Sequence, residues 1–279
     1  MVEVYIPSKK EFVLLSVSTK ISPLVVGDKV IINNNELVTI LHREKVLFRL
    51  RGDNTRYSIH TKHTHVLAAN IDMVVIVAAV ANPAFHPRFV DRFLILCQYC
   101  EIPALLCLNK CDITHARNKI LNWYRDCLKL PIIETSVTTG IGIKVLQENI
   151  QGKMVALVGH SGVGKTSILN FLLPTSTCLR TQDVGHKGKG RHTTTASNLY
   201  TLSYNTYIID IPGIRALNTE AIPREYLKHY FSEFSTYTCK YHNCYHDQEP
   251  GCGVKEAAQR DSIFMSRYQS YLSMLKGYR

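Results

Sequence analysis

The chain has 279 residues, of which 46% are hydrophobic and 20% are charged, values typical of a globular chain with two or three domains. No apolar run reaches the roughly 18 residues of a membrane span, and the N-terminus lacks the apolar core of a signal peptide, so we expect a cytoplasmic protein. The formal net charge of +11 favours a polyanionic partner, nucleic acid before a membrane surface.

Residues 1–68 are predicted to form a small all-β domain. Short runs rich in β-branched residues alternate with turn signals such as Val26-Gly27-Asp28 and Asn33-Asn34-Asn35. Many short strands in so few residues favour a barrel, with an OB-fold as the leading expectation. The predicted strands are Phe12 to Val17, Lys29 to Ile32, Glu36 to Ile40 and Val46 to Leu50.

Basic and aromatic residues are interleaved along this domain. Phe48 and Tyr57 stand among cations, and rings of this kind stack on bases while cations neutralise a nucleic-acid backbone. The pattern fits RNA binding and equally a solvated barrel face with its aromatic rings in the core. The basic residues are Lys29, His42, Arg43, Lys45, Arg49, Arg51, Arg56 and Lys62.

From residue 69 the pattern changes to alternating strands and helices. Continuous apolar runs predict central parallel strands, and helical patterns around Val90 to Cys97 and Lys144 to Ile150 lie between them. This alternation predicts a doubly wound α/β sheet, whose ligands bind outside the carboxyl ends of the strands. The predicted strands are Met73 to Val80, Ala104 to Leu108, Ile132 to Thr135, Met154 to Val158 and Thr206 to Asp210.

The loop after the second of these strands reads Asn109-Lys110-Cys111-Asp112. Asp112 can accept hydrogen bonds from N1–H and the exocyclic amine of guanine, which adenine does not offer, so the motif predicts guanine recognition. Asn109 can bind the other edge of the base, and the stem of Lys110 can lie over the ring. The loop Ser136-Val137 after the next strand can aim a backbone N–H at the guanine carbonyl.

A glycine-rich loop follows the fourth strand and opens a predicted helix. Its residues are Gly159-His160-Ser161-Gly162-Val163-Gly164-Lys165-Thr166-Ser167, which fit G-x-x-x-x-G-K-[ST]. Glycines bring backbone N–H groups onto a polyphosphate, and the helix N-terminus adds partial positive charge. Lys165 can reach the outer phosphates and Thr166 can bind Mg²⁺, so the loop predicts a nucleoside triphosphate site.

Two further segments fit the switches of such a site. Residues 183–195 carry three glycines and five basic or imidazole side chains and end in Thr193-Thr194-Thr195, of which we favour Thr194 as a Mg²⁺ ligand. In Asp210-Ile211-Pro212-Gly213, Asp210 would hold Mg²⁺ and the N–H of Gly213 would sense the γ-phosphate. The base-reading loops thus precede the phosphate loop, an order that a circular permutation produces.

The C-terminal segment from about residue 217 contains the pattern C-x4-C-x-H-x5-C. Cys239, Cys244, His246 and Cys252 offer the three thiolates and one imidazole of a closed structural zinc site. His242 is a competing ligand. Two basic amphipathic helices are predicted after Gly253. Each of their cations fits contact with rRNA and equally a solvated helix face: Lys255, Arg260, Arg267, Lys276 and Arg279.

The other six of the nine cysteines are predicted to be buried thiols of a reduced protein. Cys97 and Cys100 form a C-x-x-C pair, but they fall in an apolar helical segment without a second pair, so we expect core packing. The remaining four are Cys107, Cys111, Cys127 and Cys178.

The permuted order, the N-terminal β domain, Gly190-Arg191-His192-Thr193-Thr194-Thr195 and the cysteine cluster together resemble the bacterial family of ribosome small-subunit-dependent GTPase A (RsgA/YjeQ). The resemblance covers nearly the whole chain. It implies an OB-fold domain at 1–68, a permuted GTPase domain at 69–216 and a helical zinc domain at 217–279. It favours His246 over His242 as the zinc ligand. Val137 departs from the family, which often has alanine there.

The resemblance also implies a role in late maturation of the small ribosomal subunit, with GTP hydrolysis stimulated by the subunit. Ordinary signalling GTPases place a glutamine after the second switch glycine to orient the attacking water, whereas this chain has Ile214. His192 is our candidate for that task, since the family has a histidine there; the alternative is a histidine that contacts only RNA or solvent. We expect a monomer.

Two other functions share parts of this sequence pattern. An RNA-binding assembly factor with a merely structural nucleotide site would share the barrel, the charge and the zinc segment, but it has no need of Lys165, Thr166 and Asp210 together. A small-molecule kinase of the P-loop class is disfavoured by the Asn109–Asp112 motif and by the lack of an acceptor-binding lid.

Overall fold

The computed structural model of the chain describes residues 2–17, 23–34, 36–50, 64–113, 119–173, 198–202, 205–211 and 222–277. The strands within these ranges are β1 (Val2–Ile6), β2 (Glu11–Val17), β3 (Val30–Asn33), β4 (Glu36–Ile40), β5 (Val46–Leu50), β6 (Thr64–Ala69), β7 (Met73–Ala79), β8 (Ala104–Asn109), β9 (Ile132–Glu134), β10 (Met154–Gly159), β11 (Asn198–Thr201) and β12 (Tyr207–Asp210). The α-helices are α1 (Pro87–Tyr99), α2 (Lys119–Cys127), α3 (Ile143–Ile150), α4 (Lys165–Leu172), α5 (Arg224–Leu227), α6 (Gly253–Arg260) and α7 (Ser262–Lys276), and 3₁₀ turns cover Lys228–Tyr230 and Ser232–Thr236.

The N-terminal part is all-β, as predicted. The described strands form a four-stranded sheet in the order β1-β2-β4-β3 and a separate β5-β6 pair. The four predicted strands are observed within a residue or so of their expected limits. β1 and β6 were not predicted, although the spacing of Val2, Val4 and Ile6 already has the period of a strand.

Gly27 and Asn70 join this part to the central sheet. Gly27 has a φ of +88°, and a Cβ there would lie 2.1 Å from the carbonyl oxygen of Ala69, so only glycine fits. The Asn70 side chain donates to the Gly27 carbonyl at 2.9 Å and accepts from the N–H of Glu44 at 3.1 Å. The turn predicted at Val26-Gly27-Asp28 is therefore one of the places where the two parts meet.

A six-stranded sheet in the order β11-β12-β10-β7-β8-β9 forms the centre, with β11 antiparallel to β12 and the other pairs parallel. Alternate residues of the buried strands feed two separate cores. Ile76 packs with α1 and α2 on one face, whereas Val75 packs with α3 and α4 on the other. This is the predicted doubly wound arrangement, and all five predicted strands of this part are present.

A third core holds the C-terminal segment together and packs on the sheet domain through α1. Phe231, Phe234 and Tyr271 are buried in it, and α7 lies along α1. The two helices predicted after Gly253 are α6 and α7. No helix in the described ranges is long and apolar enough to cross a membrane.

The prediction for the scattered cysteines was wrong at one position. Cys97 and Cys107 are buried and Cys100 and Cys111 are partly buried, but Cys127 is exposed because it is the last residue of α2, where the helix leaves the core. Cys178 lies outside the described residues.

Candidate functional site

The loops after β7, β8, β9, β10 and β12 converge at one edge of the sheet, because the carboxyl ends of parallel strands lie together. The phosphate loop, residues 159–167, connects β10 to α4 at this edge. A Cβ on Gly159 would lie 2.4 Å from the Val77 carbonyl oxygen, and Gly162 and Gly164 have φ values of +82° and +98°. The backbone at these three positions requires glycine.

Lys165 begins α4 and folds back over the phosphate loop. Its ammonium group donates to the carbonyls of Gly159 at 2.7 Å and His160 at 3.1 Å. Thr166 follows in the first turn of α4, and Ser161 is exposed at the tip of the loop. Lys165 and Thr166 thus stand where backbone donors of the helix N-terminus are available to an anion.

Asn109, at the end of β8, connects the base-reading loop to the phosphate loop. It is buried, its amide N–H donates to the Val163 carbonyl at 2.9 Å, and its carbonyl accepts from the Thr135 hydroxyl at 3.2 Å. We call these two hydrogen bonds the Asn109 bridge. The bridge uses groups that the sequence prediction assigned to the base alone, so the first role of Asn109 is to fix two loops relative to each other.

Lys110 makes a second connection of the same kind. Its ammonium group donates to the Gly162 carbonyl at 2.8 Å and to the carbonyl of Asn82 in the loop after β7. Its stem therefore spans the phosphate loop, as a side chain that covers a bound base must do. Cys111 is partly buried and donates its thiol to the Leu108 carbonyl, and Asp112 is exposed.

The loop after β9 brings Ser136 and Val137 to the same edge. Ser136 is fully buried, its N–H donates to the Ile141 carbonyl at 3.0 Å, and its hydroxyl accepts from the N–H of Thr139 at 3.2 Å. The N–H of Ser136 is therefore occupied within the loop, and Val137 is the residue of the pair that is left to approach a base.

Asp210 ends β12 next to the phosphate loop, since β12 pairs with β10. Its Oδ1 is buried and has no hydrogen-bond partner within the described residues. Burial raises the pKa of this carboxyl above its usual value, and the charge of Lys165 opposes that rise. A buried carboxylate oxygen without a donor favours a cation beside it.

The remaining predicted residues of the nucleotide site lie outside the described residues. They are His192, Thr194 and Gly213, together with Thr193 and Thr195.

Sequence reasoning missed several residues that support the site. Thr135 holds Asn109, Asn82 holds Lys110, and the Phe89 ring lies 4.1 Å from that of His160 in the phosphate loop. Thr135 directly follows β9 and Asn82 stands three residues after the end of β7, and a polar residue just beyond such a strand is a usable signal. Phe89 belongs to α1, which follows β7, whereas the phosphate loop follows β10. Only the tertiary structure shows that the two are in contact.

The C-terminal segment brings Cys239, Cys244, His246 and Cys252 together, with their ligand atoms within 4.8 Å of one another. Tetrahedral zinc with Zn–S bonds of about 2.3 Å and a Zn–N bond of about 2.0 Å requires about 3.8 Å between sulfurs and about 3.6 Å between sulfur and nitrogen. The Cys239 and Cys252 sulfurs are 3.8 Å apart, and His246 Nδ1 lies 3.5 and 3.4 Å from them. Cys239, Cys252 and His246 therefore have separations close to those of a zinc tetrahedron, and the Cys244 sulfur lies within 4.8 Å of all three. His242 is exposed and outside the group.

Neighbouring groups orient these side chains. The Lys255 N–H donates to the Cys252 sulfur, and the Tyr268 hydroxyl donates to the His246 carbonyl at 2.7 Å. Burial lowers the pKa of His246 to about 4, so its imidazole is neutral at pH 7, the form that binds a metal. Burial raises the pKa of Cys244 to about 12, so a metal must displace its proton.

The prediction of an RNA-facing Arg267 was wrong. Arg267 is 1% exposed and forms ion pairs with Asp91 and Glu233 inside the protein. Arg260 and Lys276 are exposed and Lys255 is partly so, whereas Arg279 lies outside the described residues. A helical pattern of charges does not reveal which cation turns inward, because that depends on acids supplied by other elements.

Known proteins are similar to this chain over most of its length. A sequence model of the RsgA GTPase family matches residues 40–220. The small ribosomal subunit biogenesis GTPase RsgA of Bacteroides fragilis is 36% identical over 267 residues, covering 91% of this chain and 84% of that protein. Its namesake from Thermotoga maritima is 35% identical over 262 residues, covering 90% and 82%.

Solved structures show the same similarity. The crystal structure of YjeQ from Thermotoga maritima has a TM-score of 0.70 at 31% identity and covers 98% of this chain and 92% of its own. The structure of YloQ, a circularly permuted GTPase, has a TM-score of 0.64 and covers 98% and 89%; at 23% identity it speaks for the fold alone.

Proposed function

The chain belongs to the RsgA GTPase family, and on this premise we propose that it hydrolyses GTP in the biogenesis of the small ribosomal subunit. The observation that carries the proposal is the Asn109 bridge together with the bond from Lys110 to Gly162. These bonds fix a guanine-type loop against a phosphate loop, so a single ligand with both a guanine base and a polyphosphate fits the edge of the sheet.

We assign the base to Asn109, Lys110, Cys111 and Asp112, with a backbone contact from Val137. Asp112 is exposed and therefore available to the N1–H and amine of guanine. We assign phosphate binding to residues 159–167, and the N–H of Gly213 would sense the γ-phosphate. Ser136 supports the loop through its own internal bonds.

Mg²⁺ fits the residues at this edge. The orphaned Oδ1 of Asp210 and the hydroxyl of Thr166 would hold Mg²⁺ together with the hydroxyl of Thr194, and such oxygen ligands are the ones that Mg²⁺ prefers. When bound, Mg²⁺ neutralises charge on the phosphate oxygens. Lys165 now donates to two loop carbonyls and would turn to the phosphates of a bound ligand.

His192 is our candidate for positioning the attacking water, since Ile214 cannot form a hydrogen bond. The test is His192→Ala, with GTP affinity and turnover measured separately. We expect turnover in the presence of small subunits to fall at least tenfold at unchanged GTP affinity. Unchanged turnover would remove His192 from the mechanism.

The nucleic-acid partner is the rRNA of the small subunit, which the net charge of +11 favours. We propose three domains, an OB-fold at 1–68, the permuted GTPase domain at 69–216 and a zinc domain at 217–279. The exposed cations Arg260 and Lys276 on the zinc domain are candidates for phosphate contact. We further propose a cytoplasmic monomer that acts late in assembly of the subunit.

One structural Zn²⁺ fits the Cys239, Cys244, His246 and Cys252 group, which is supported by the tetrahedral separations among Cys239, Cys252 and His246. A site of four protein ligands leaves no position for a substrate. Its contribution is to fix the loop at 239–252 against the aromatic core of the segment, to which Cys244 and Cys252 already belong.

The experiment is phosphate release from GTP and from ATP, each with and without purified small ribosomal subunits. We expect slow GTP hydrolysis that rises by orders of magnitude with subunits, and no ATP hydrolysis. GTP binding without stimulated hydrolysis would instead support an RNA-binding scaffold with a structural nucleotide site. Equal hydrolysis of ATP would contradict the assignment of Asp112.

A further inference from the structure

Arg267 of α7 is one of the most deeply buried side chains in the described chain, and it is charged. Its Nη1 donates to Asp91 Oδ1 at 2.6 Å and its Nε donates to Glu233 Oε1 at 2.8 Å. The rings of Trp123 and Phe231 lie 5.5 and 4.6 Å from its guanidinium. A charge in such surroundings is stable only while it is paired.

Asp91, its main partner, belongs to α1 of the sheet domain and is 0% exposed. The Tyr124 hydroxyl of α2 donates to the same carboxylate oxygen at 2.6 Å. The C-terminal segment therefore contacts the GTPase part through a buried ion pair whose acid lies in the first turns of α1.

The two acids around Arg267 would respond differently to its loss. The Glu233 side chain is 12% exposed and lines a cavity of about 390 Å³ at the seam with Trp123 and Asp261. Its Oε2 is buried without a partner among the described residues, but a rotation of the side chain toward this cavity would bring the carboxylate to water. Asp91 has no such access. Removing the guanidinium would thus strand a buried charge on α1, and α1 is the element that must move to relieve it.

The opposite side of the same turns of α1 packs against the phosphate loop. The Phe89 ring lies 4.1 Å from the His160 ring, and His86, the residue before α1, lies 5.5 Å from it. Phe89 is only two residues from Asp91. A shift of the first two turns of α1 would therefore move the surface on which the phosphate loop rests.

We propose that α1 couples the C-terminal segment to the nucleotide site, with Arg267 as a positioning residue that holds the phosphate loop in its GTP-binding geometry through Asp91. The inference rests on the proposed function, because it takes the loop to bind GTP. Coupling between two sites is reciprocal, so GTP would in turn favour the docked C-terminal segment. Any partner that pulls on the zinc domain would then change the affinity for GTP.

The test compares Arg267→Met with Phe234→Leu in the full chain. Arg267→Met strands the Asp91 charge, whereas Phe234→Leu loosens the same C-terminal core at a ring whose aromatic partners in the described structure all belong to that segment. The dissociation constant of a fluorescent GTP analogue is measured by titration, and zinc content and circular dichroism verify folding. We expect a rise of at least fivefold for Arg267→Met and less than twofold for Phe234→Leu.

A double variant tests the stranded charge itself. Asp91→Asn combined with Arg267→Met removes both charges at nearly constant volume, and we expect it to restore affinity to within twofold of the parent chain. If Arg267→Met alone fails to fold, the double variant compared with Asp91→Asn, which leaves Arg267 with Glu233 as its one acidic partner among the described residues, provides the comparison. Unchanged affinity in Arg267→Met, an equal loss in Phe234→Leu, or no recovery in the double variant would each overturn the proposal.

The parent chain is titrated first. If it does not bind the GTP analogue, the proposed function is wrong. If the parent chain binds the analogue but the variants give any of the results that overturn the proposal, the coupling through α1 is wrong and the proposed function is unaffected.

Discussion

Replacing Gly164 with alanine is expected to break the connection between the base-reading loop and the phosphate loop. Gly164 has a φ of +98°, and a Cβ there would lie 2.3 Å from Nδ2 of Asn109. Asn109 is 2% exposed, so its side chain has no room to turn away into solvent. The substitution would therefore push the amide off the Val163 carbonyl, with which it forms a 2.9 Å hydrogen bond.

The magnitude follows from two contributions. An alanine in the left-handed region costs about 1–2 kcal/mol. Leaving the buried amide of Asn109 and the carbonyl of Val163 without partners costs about 1–3 kcal/mol more. We expect the free energy of unfolding to fall by about 2–5 kcal/mol, and GTP affinity to fall at least about tenfold, equivalent to 1.4 kcal/mol.

Gly152→Ala is the matched control. Gly152 also has a positive φ, +71°, but a Cβ there would meet nothing within 4 Å. It should therefore show only the backbone contribution of about 1–2 kcal/mol and normal GTP affinity. Urea unfolding monitored by circular dichroism, with a fluorescent GTP analogue for binding, measures both. Equal destabilisation and equal affinity in the two variants would refute the role given to the Asn109 bridge.

Three further outcomes are expected. Asp112→Asn should weaken GTP binding at least about 100-fold, through loss of two charge-assisted hydrogen bonds, and should bind xanthosine triphosphate better than GTP; retained GTP preference in competition titrations would contradict the base assignment. Metal analysis should find one zinc per chain. The zinc should be lost in Cys252→Ser but kept in His242→Ala, because Cys252 belongs to the Cys/His group and His242 does not. Since burial raises the pKa of Asp210, protons should compete with Mg²⁺, so that Mg²⁺-dependent GTP affinity falls as pH is lowered toward that raised pKa; Asp210→Asn should lack this pH dependence.

The central sheet was predictable because its strands are buried on both faces. Met73 to Val80 and Ala104 to Leu108 are apolar at every position, which is the pattern of parallel strands between two helical layers. β11 was not predicted, since its sequence Asn198-Leu199-Tyr200-Thr201 sits at the sheet edge and is only partly buried. α2 was missed for a similar reason, as polar residues interrupt Ile120, Leu121 and Tyr124.

The predictable parts of the candidate site are those whose functional residues lie close together in the sequence. The spacing of Gly159, Lys165 and Thr166 carries its own chemistry, and so does that of Cys239, Cys244 and Cys252. The connections between such segments carry no local signal. The bond from Asn109 to Val163 joins residues 54 positions apart, and Arg267 reaches Asp91 across 176. A charged residue in an amphipathic helix looks the same in sequence whether its partner is water or a buried acid.

The contacts of α1 explain why one helix can connect the separate parts of the chain. Near its end, the Tyr99 ring lies 5.9 Å from Phe48 of the N-terminal part and 5.8 Å from Tyr230 of the C-terminal segment. At its beginning, Phe89 meets His160 of the phosphate loop. The permuted chain order places β7, and α1 after it, directly behind the N-terminal part, while the C-terminal segment follows the second switch. Both added parts therefore dock on the helix that also supports the phosphate loop, and under the proposed coupling a rigid α1 would convey a change at either part to the nucleotide site.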